Sequence, residues 1–271
     1  MRALTAAAFL AGALIAPARA ALSISSQTVS DPHQLIGAVL PATTAYPNLI
    51  TFPEKLIFEV SWGVISVGQA TLEVEDIVDF NGTPAYHVVS RAISNKFCDS
   101  FYKVRDISES WIDVRTATSL GYSKQLREGS FFRNEWVLFD DGRWLGKRAG
   151  RDGNFNVATG TAPVGVQDIL SSMYYLRGRT LTPGSEIVLD VNTRQNWPLV
   201  VRVLRRDRVK TPAGDFDALL VEPMLRQEGL FIQKGNRLQV WLSDDSKHVP
   251  VLMKVEVFFG SITARLAKMV Y

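Results

Sequence analysis

From Pro53 onward the chain alternates apolar and polar residues with a period of two. In PEKLIFEVSWGVISVGQATLEV, Leu56, Phe58 and Val60 alternate with Ile57, Glu59 and Ser61. Ala70, Leu72 and Val74 then alternate with Thr71, Glu73 and Glu75. Successive side chains of a strand point to opposite faces, so the two runs read as a hairpin with one apolar and one partly wet face. Gly63 and Gly68 bracket the connection and allow positive φ or a close approach of another chain. The pattern repeats. Strands are expected over 72–78, 85–92, 102–111, 119–128, 131–139 and 143–148, and again over 186–193, 199–209, 215–223, 238–243, 249–258 and 262–270. Turn residues separate them at Phe80–Pro84, Asp140-Asp141-Gly142, Thr211–Gly214 and Ser243–Lys247. Phe131-Phe132 and Gly229-Leu230-Phe231-Ile232 put adjacent apolar residues where a strand should alternate, which means two-sided burial or an exposed contact patch.

One segment breaks the period. In VQDILSSMYYL, residues 166–176, Ile169, Leu170, Met173, Tyr174 and Leu176 fit helical spacing, with Asp168 as cap and Gly178 as stop. This predicts one substantial helix over 166–177. Residues 21–52 carry Pro32, Pro41 and Pro47 without a period and read as a flexible leader with a short helical turn near Leu35–Val39. An offset of 130 residues relates Pro53 to Pro183, Tyr86 to Phe216 and Trp111 to Trp241. It comes from a repeat of 53–160 in 183–271 or from chance register among similar strands. The expected fold is mainly β: a large curled antiparallel sheet or half-open β-barrel over 53–271, with two similar halves if the repeat holds.

The first twenty residues change the picture of location. Arg2, the apolar stretch Leu4–Ile15 and Ala18-Arg19-Ala20 form a cleavable secretory signal, which places the mature chain in the periplasm. The apolar stretch is too short to span a bilayer, and no transmembrane span is expected later. The formal net charge is +3, with Arg2 and Arg19 inside the signal, so composition gives no reason to expect a nucleic-acid partner. The one cysteine, Cys98, cannot form an internal disulfide and sits between Phe97 and Phe101 as a small core residue.

The run EKLIFEVSWGVISVGQATLEV resembles the opening signature of domain of unknown function family 3108, E-x-L-x-[YF]-x-V-x-W-x-x-[IV]-x-x-G-x-A. It falls on Glu54, Leu56, Phe58, Val60, Trp62, Ile65, Gly68 and Ala70. Segments 166–177, 211–223 and 238–266 are similar to the family as well, and the likeness spans Pro53 to Tyr271. The resemblance implies an exported, mostly antiparallel β protein of the cell envelope and no particular reaction. By looser analogy, half-open barrels of this kind are similar to periplasmic lipoprotein carriers.

Catalytic motifs are not found. His33, His87 and His248 are far apart in sequence, so no metal site is expected, and no cofactor. There is no G-x-S-x-G and no phosphate loop. Asp168 beside Ser171 and Ser172 is read as a cap, and Asp244-Asp245 as a solvated turn. What stands out is aromatic content. Trp62, Phe101, Tyr102, Phe131, Trp136 and Trp241 are the candidate ligand-binding residues, lining a hollow for an apolar small molecule or a lipidated partner. A non-catalytic carrier is the preferred reading. An envelope protein partner docking on sheet edges or Phe-rich turns is the alternative, and a hydrolase with paired carboxylates the third.

Overall fold

The computed structural model describes residues 31–43, 46–140, 142–150, 153–225, 237–256 and 260–271. The expected signal, the Phe231 turn and Phe258-Phe259 lie outside the described residues. The alternation builds fifteen strands into one antiparallel sheet. They are β1 (Ile36–Val39), β2 (Glu54–Trp62), β3 (Ile65–Phe80), β4 (Thr83–Ser94), β5 (Arg105–Asp113), β6 (Ser119–Glu128), β7 (Phe131–Asp140), β8 (Arg143–Ala149) and β9 (Phe155–Thr161). After them come β10 (Glu186–Asn192), β11 (Asn196–Thr211), β12 (Gly214–Leu225), β13 (Leu238–Ser243), β14 (Pro250–Glu256) and β15 (Ser261–Val270). Among the described residues two α-helices interrupt them, the four-residue α1 (Lys96–Asp99) and α2 (Ile169–Arg177).

The order across the sheet is β10 to β15, then β2 to β9, with β1 beside β3. The chain therefore starts in the middle, winds out to the edge at β9, crosses by the α2 segment to the other edge at β10, and returns until β15 pairs with β2. The edges β9 and β10 are not ladder partners. Side chains bridge that seam: Asn196 Nδ2 donates to the Thr161 carbonyl at 2.7 Å, and Arg194 Nη2 to Asn156 Oδ1 at 2.5 Å. The result is an unclosed, barrel-like curl.

The spacing near 130 residues also relates strand to strand. β11 begins 131 residues after β3, and each has 16 residues. β12 begins 131 after β4, and each has 12. Even the irregularities recur. Trp111 pairs with Gly121 and Ile112 with Ser119, leaving Leu120 extra, while Trp241 pairs with Leu252 and Leu242 with Pro250, leaving Val251 extra. On this correspondence β7 matches β15 and β10 matches β2. The joint that β15 makes with β2 has no counterpart between β7 and β10, because β8 and β9 add to β7 instead.

On β2, Leu56, Phe58 and Val60 are buried and Glu59 is exposed, as the alternation requires. Gly68 carries the motif glycine because a Cβ there would collide with the Ile93 carbonyl on β4. The inner face continues through Leu72, Val74 and Val88, and through Ile262, Ala264 and Leu266, into one core that also takes Leu189, Val191, Leu199 and Val201. On β12, Leu219 and Leu220 are both fully buried, one on each face. The β11–β12 hairpin reaches back to β15, where Ala213 N–H donates to the Leu266 carbonyl at 3.0 Å.

Helix α2 lies against this inner face. Its apolar side, Leu170, Met173, Tyr174 and Leu176, joins the core. At its N-terminus the Asp168 carboxylate accepts from Leu170 N–H at 2.7 Å and Ser171 N–H at 3.1 Å, and also from Ser110 Oγ and Ser119 Oγ at 2.6 Å each. At its C-terminus Arg177 meets Glu54 of β2 in a bidentate pair, at 2.6 and 2.7 Å. Both side chains are buried.

The segment read as a flexible leader differs, within its described part, from that expectation. Pro32–Leu35 form a 3-10 turn capped by Asp31, and β1 pairs with β3 where a helical turn was expected. Leu35 and Ile36 cover Val78, Phe80 and Trp111 on the outer face, and that burial outweighs the lack of periodicity. β9 was missed as well. FNVATGT has small residues and little alternation, and its pairing comes from β8 alone.

Removing one partner of a buried ion pair leaves an uncompensated charge. Glu54→Gln is expected to destabilise the fold by about 3–5 kcal/mol, read as a lower urea midpoint, and the double change Glu54→Leu with Arg177→Met to recover most of the loss. An unchanged midpoint for Glu54→Gln would show that the pair does not hold α2.

Candidate functional site

The inner face changes character between β4 and β5. Val88 faces inward and pairs with Ser110, which pairs with Tyr122, and Ser108 pairs with Lys124. The same face then runs from Tyr122 to Val137, from Lys124 to Glu135 and from Leu126 to Arg133. On β8 it continues with Gly146 opposite Val137 and Arg148 opposite Glu135. Arg194, from the β10–β11 turn, completes it from across the seam. Its Cγ lies 3.1 Å from where a Cβ on Gly146 would sit, so the glycine lets the arginine lie close on the sheet and a larger residue would displace it. The curl thus has an apolar wall on β10–β15 and β2–β4 and a polar, mostly cationic wall on β5–β8.

Four cations, Lys124, Arg133, Arg148 and Arg194, surround one carboxylate, Glu135, whose side chain is 1% exposed and bonds Arg148 Nε at 2.7 Å. Burial would raise the Glu135 pKa, but Lys124, Arg148 and Arg133 together hold it below the usual carboxylate range. The cations pay in the other direction. Burial, with Arg133 and Arg148 nearby, pushes Lys124 down, and burial also pushes down Arg133 and Arg194. The Tyr122 hydroxyl and Arg194 Nε are buried in this cluster without a hydrogen-bond partner. Burial, then Glu135 and Asp168, drives the Tyr122 phenol well above its ordinary pKa. Beside α2 a pocket of about 10 Å³, lined by Tyr122, Lys124, Asp168 and Leu170 among others, has room for one water.

Toward the end of the curl that carries the β2–β3 and β6–β7 turns, a carboxyl pair joins this wall. Asp106 and Glu128 are both buried, and burial, then the facing Glu128, raises the Asp106 carboxyl well above the usual range. Tyr102 lies beside them and packs over Gly129.

The six aromatic candidates do not converge. Trp62 and Phe101 are exposed, by 40% and 58%, at the same end of the sheet. Tyr102 and Phe131 are half-buried, Tyr102 against the core and Phe131 on the inner wall opposite Glu128. Trp136 is between Glu135 and Val137, so it points outward, where it meets Phe155 and Lys147. Trp241, between inward Val240 and Leu242, points the other way and donates to Asp207 Oδ2 at 2.8 Å. The cationic wall was missed because its charges are spread singly over three strands and one turn. The signal that could have found it is parity: Lys124, Arg133 and Arg148 occupy positions that alternation assigns to the inner face.

An open antiparallel curl with a divided inner face defines a β-barrel-like protein. A crystal structure of a beta-barrel-like protein of domain of unknown function DUF1849 from Brucella abortus is similar in fold, with a TM-score of 0.56 and 12% identity over 80% of this chain and 97% of that one. The chain belongs to the DUF3108 family, proteins of unknown function, whose model matches residues 57–267. No curated protein matches it.

A second cluster lies on the outer face. Glu109 receives His33 Nε2 at 2.8 Å, His87 Nε2 at 3.1 Å and Ser123 Oγ at 2.8 Å, and Trp111 stacks on the His87 ring and meets the His33 ring edge-on. Two histidines far apart in sequence are thus brought to one carboxylate. The bond to Glu109 raises His33 to about 9, against burial and with help from Asp31. A raised histidine stabilises fully below its unfolded pKa, about 6.5, and the contribution is lost as pH rises through the folded value. His33 should titrate near 9 by NMR, and protease cutting of the strap 31–43 should increase between pH 7 and 10. His33→Ala should show that cutting already at pH 7. A His33 titration at the ordinary value would contradict the latch.

Proposed function

We propose that this chain is an exported protein of the cell envelope that binds a lipid-like molecule on the inner face of its curled sheet, without catalysing a reaction. The observation that supports it best is the unclosed seam: a continuous apolar wall, including Phe58, Leu72, Met253 and Leu266, curves around α2, and the sheet's edges β9 and β10 share no ladder but are tied by side chains and by backbone bonds from Val166 to Ser119 and from Gln167 to Asp190 and Asn192. Apolar surface on a concave, openable face is the usual form of a site for an acyl chain. In the described state α2 fills that hollow, so loading requires α2 or the seam to give way. Tyr102 and Phe131 belong to the inner wall in this reading, and Trp62 and Phe101 to its rim. Among the described residues no helix is long and apolar enough to cross a membrane.

A second reading has one specific observation in its favour. Trp62, Val64, Ile65, Ile93, Phe97 and Phe101 are exposed on neighbouring turns at one end of the sheet, which suits docking on an envelope protein partner.

The preferred reading is tested by organic extraction of the purified protein with mass spectrometry, and by titration with a fluorescent acyl probe. One probe per chain, with saturable binding, is expected. Val255→Asp, at the edge of the apolar wall, should weaken binding at least about tenfold while Val188→Asp on the exposed side leaves it unchanged. The absence of both a co-purified apolar molecule and saturable probe binding would overturn the reading and leave the docking surface.

A further inference from the structure

The charged pair at Lys124 and Glu135 has an apolar counterpart in the other half of the sheet. Strands β14 and β15, which match β6 and β7 in order and spacing, present Met253, Val255, Ile262, Ala264 and Leu266 on the same face. On the ladder register Met253–Ala264 and Val255–Ile262 correspond to Tyr122–Val137 and Lys124–Glu135, and Arg133, Arg148 and an Arg194 laid over Gly146 add further charge around that second pair. Four cations against one carboxylate leave a surplus of positive charge in a half-buried concavity. Each is desolvated in part, and each repels the others.

Several donors have no acceptor to match. Arg148 spends its Nε on Glu135, and Arg194 spends Nη2 on Asn156, while its Nε is buried and unpartnered. Lys124 lies over the Tyr122 ring, 5.0 Å from its centroid, and Arg133 over the Phe131 ring, 5.5 Å from its centroid. The Tyr122 hydroxyl, in a residue 2% exposed, is a further donor with no partner. The nearest other acids offset only part of the surplus: Asp168 acts on Lys124 and Glu128 on Arg133, while Asp168 is also engaged by two serines and the helix N-terminus and Glu128 by Asp106.

We propose that Lys124, Arg133, Arg148 and Arg194, with the Tyr122 hydroxyl, form a subsite for a phosphoryl group. Guanidinium forks and an ammonium gathered on one wall around Glu135 offer more donors than a single carboxylate can take, and the three peripheral oxygens of a phosphoryl group match such a set. The subsite lies beside the seam, on β6 to β8 and under Arg194 of the β10–β11 turn, with the apolar residues of β10 and β11 across the seam. An amphiphile with a phosphoryl head there would run its chain onto the apolar wall. This rests on the reading of the inner face as a binding surface.

The test is calorimetric titration of the purified protein with three probes: inorganic phosphate, a dihexanoyl phosphatidic acid, and the uncharged dihexanoyl glycerol. Arg133→Gln and Arg194→Gln are compared with wild type, and Arg265→Gln, an exposed arginine on β15, serves as control. The phosphatidic acid is expected to bind at least about tenfold more tightly than the glyceride, and the two variants to remove most of that difference. Phosphate binding that the variants weaken, with no gain from the chains, supports the subsite with a free phosphate as occupant. Equal affinity for the charged and uncharged amphiphiles, in wild type and variants alike, overturns the subsite and leaves the apolar reading standing. No binding of any probe overturns both. Should a variant fail to fold, the melting temperature of the wild type with dihexanoyl phosphatidic acid against dihexanoyl glycerol at equal concentration in the same buffer decides: a larger rise with the phosphatidic acid supports the subsite and equal shifts overturn it.

Discussion

Helix α2 is held at both ends by buried charge, and the shape of the curl depends on that. Asp168 draws Ser110 and Ser119 of β5 and β6 to the helix N-terminus, while Arg177 grips Glu54 of β2 at the other end. The two anchors stand on opposite walls of the sheet. His248 Nδ1 also reaches the Arg177 carbonyl at 2.9 Å, and Arg177 Nε donates to the Lys247 carbonyl at 3.1 Å, so the β13–β14 turn is tied in as well. A sheet of this length would twist until it closed or collapsed. Here a short helix sets the gap and occupies it.

That arrangement explains why the inner face has two characters. Apolar burial supplies most of the stability and comes from β2–β4 and β10–β15, which α2 covers with Leu170, Met173 and Leu176. The polar wall lies beyond the helix cap and is free of that duty. Ser108 and Ser110 begin it next to the Asp168 cap, and the cations follow strand by strand toward the seam. Placing unmatched charge beside an apolar wall is how a surface can read both parts of an amphiphile.

The fold was largely legible because alternation is a strong signal where one face is buried. Leu56, Phe58 and Val60 announced β2, and the helical spacing of Ile169, Leu170 and Met173 announced α2 together with its Asp168 cap. β1 and β9 were not legible, since their pairing is imposed by neighbours rather than by their own pattern. The site was less legible than the fold. Aromatic residues drew attention by type, yet parity sends Trp136 and Trp241 away from the wall occupied by Glu135, Val137, Val240 and Leu242. The histidine pair on Glu109 needed the outer face of β4 and β5 to come together with the strap, a contact between residues 33 and 109 that no local pattern reveals.

The central claim is that a ligand lies against the inner face of an unclosed sheet. It is tested most directly by photo-cross-linking with a phosphoryl amphiphile that carries a diazirine at the end of its acyl chain, followed by peptide mapping. Adducts on the apolar inner wall, at residues such as Phe58, Met253 and Leu266, are expected. Adducts confined to outward-facing residues such as Trp136 and Phe155, or to the exposed turn at Phe97 and Phe101, would contradict it.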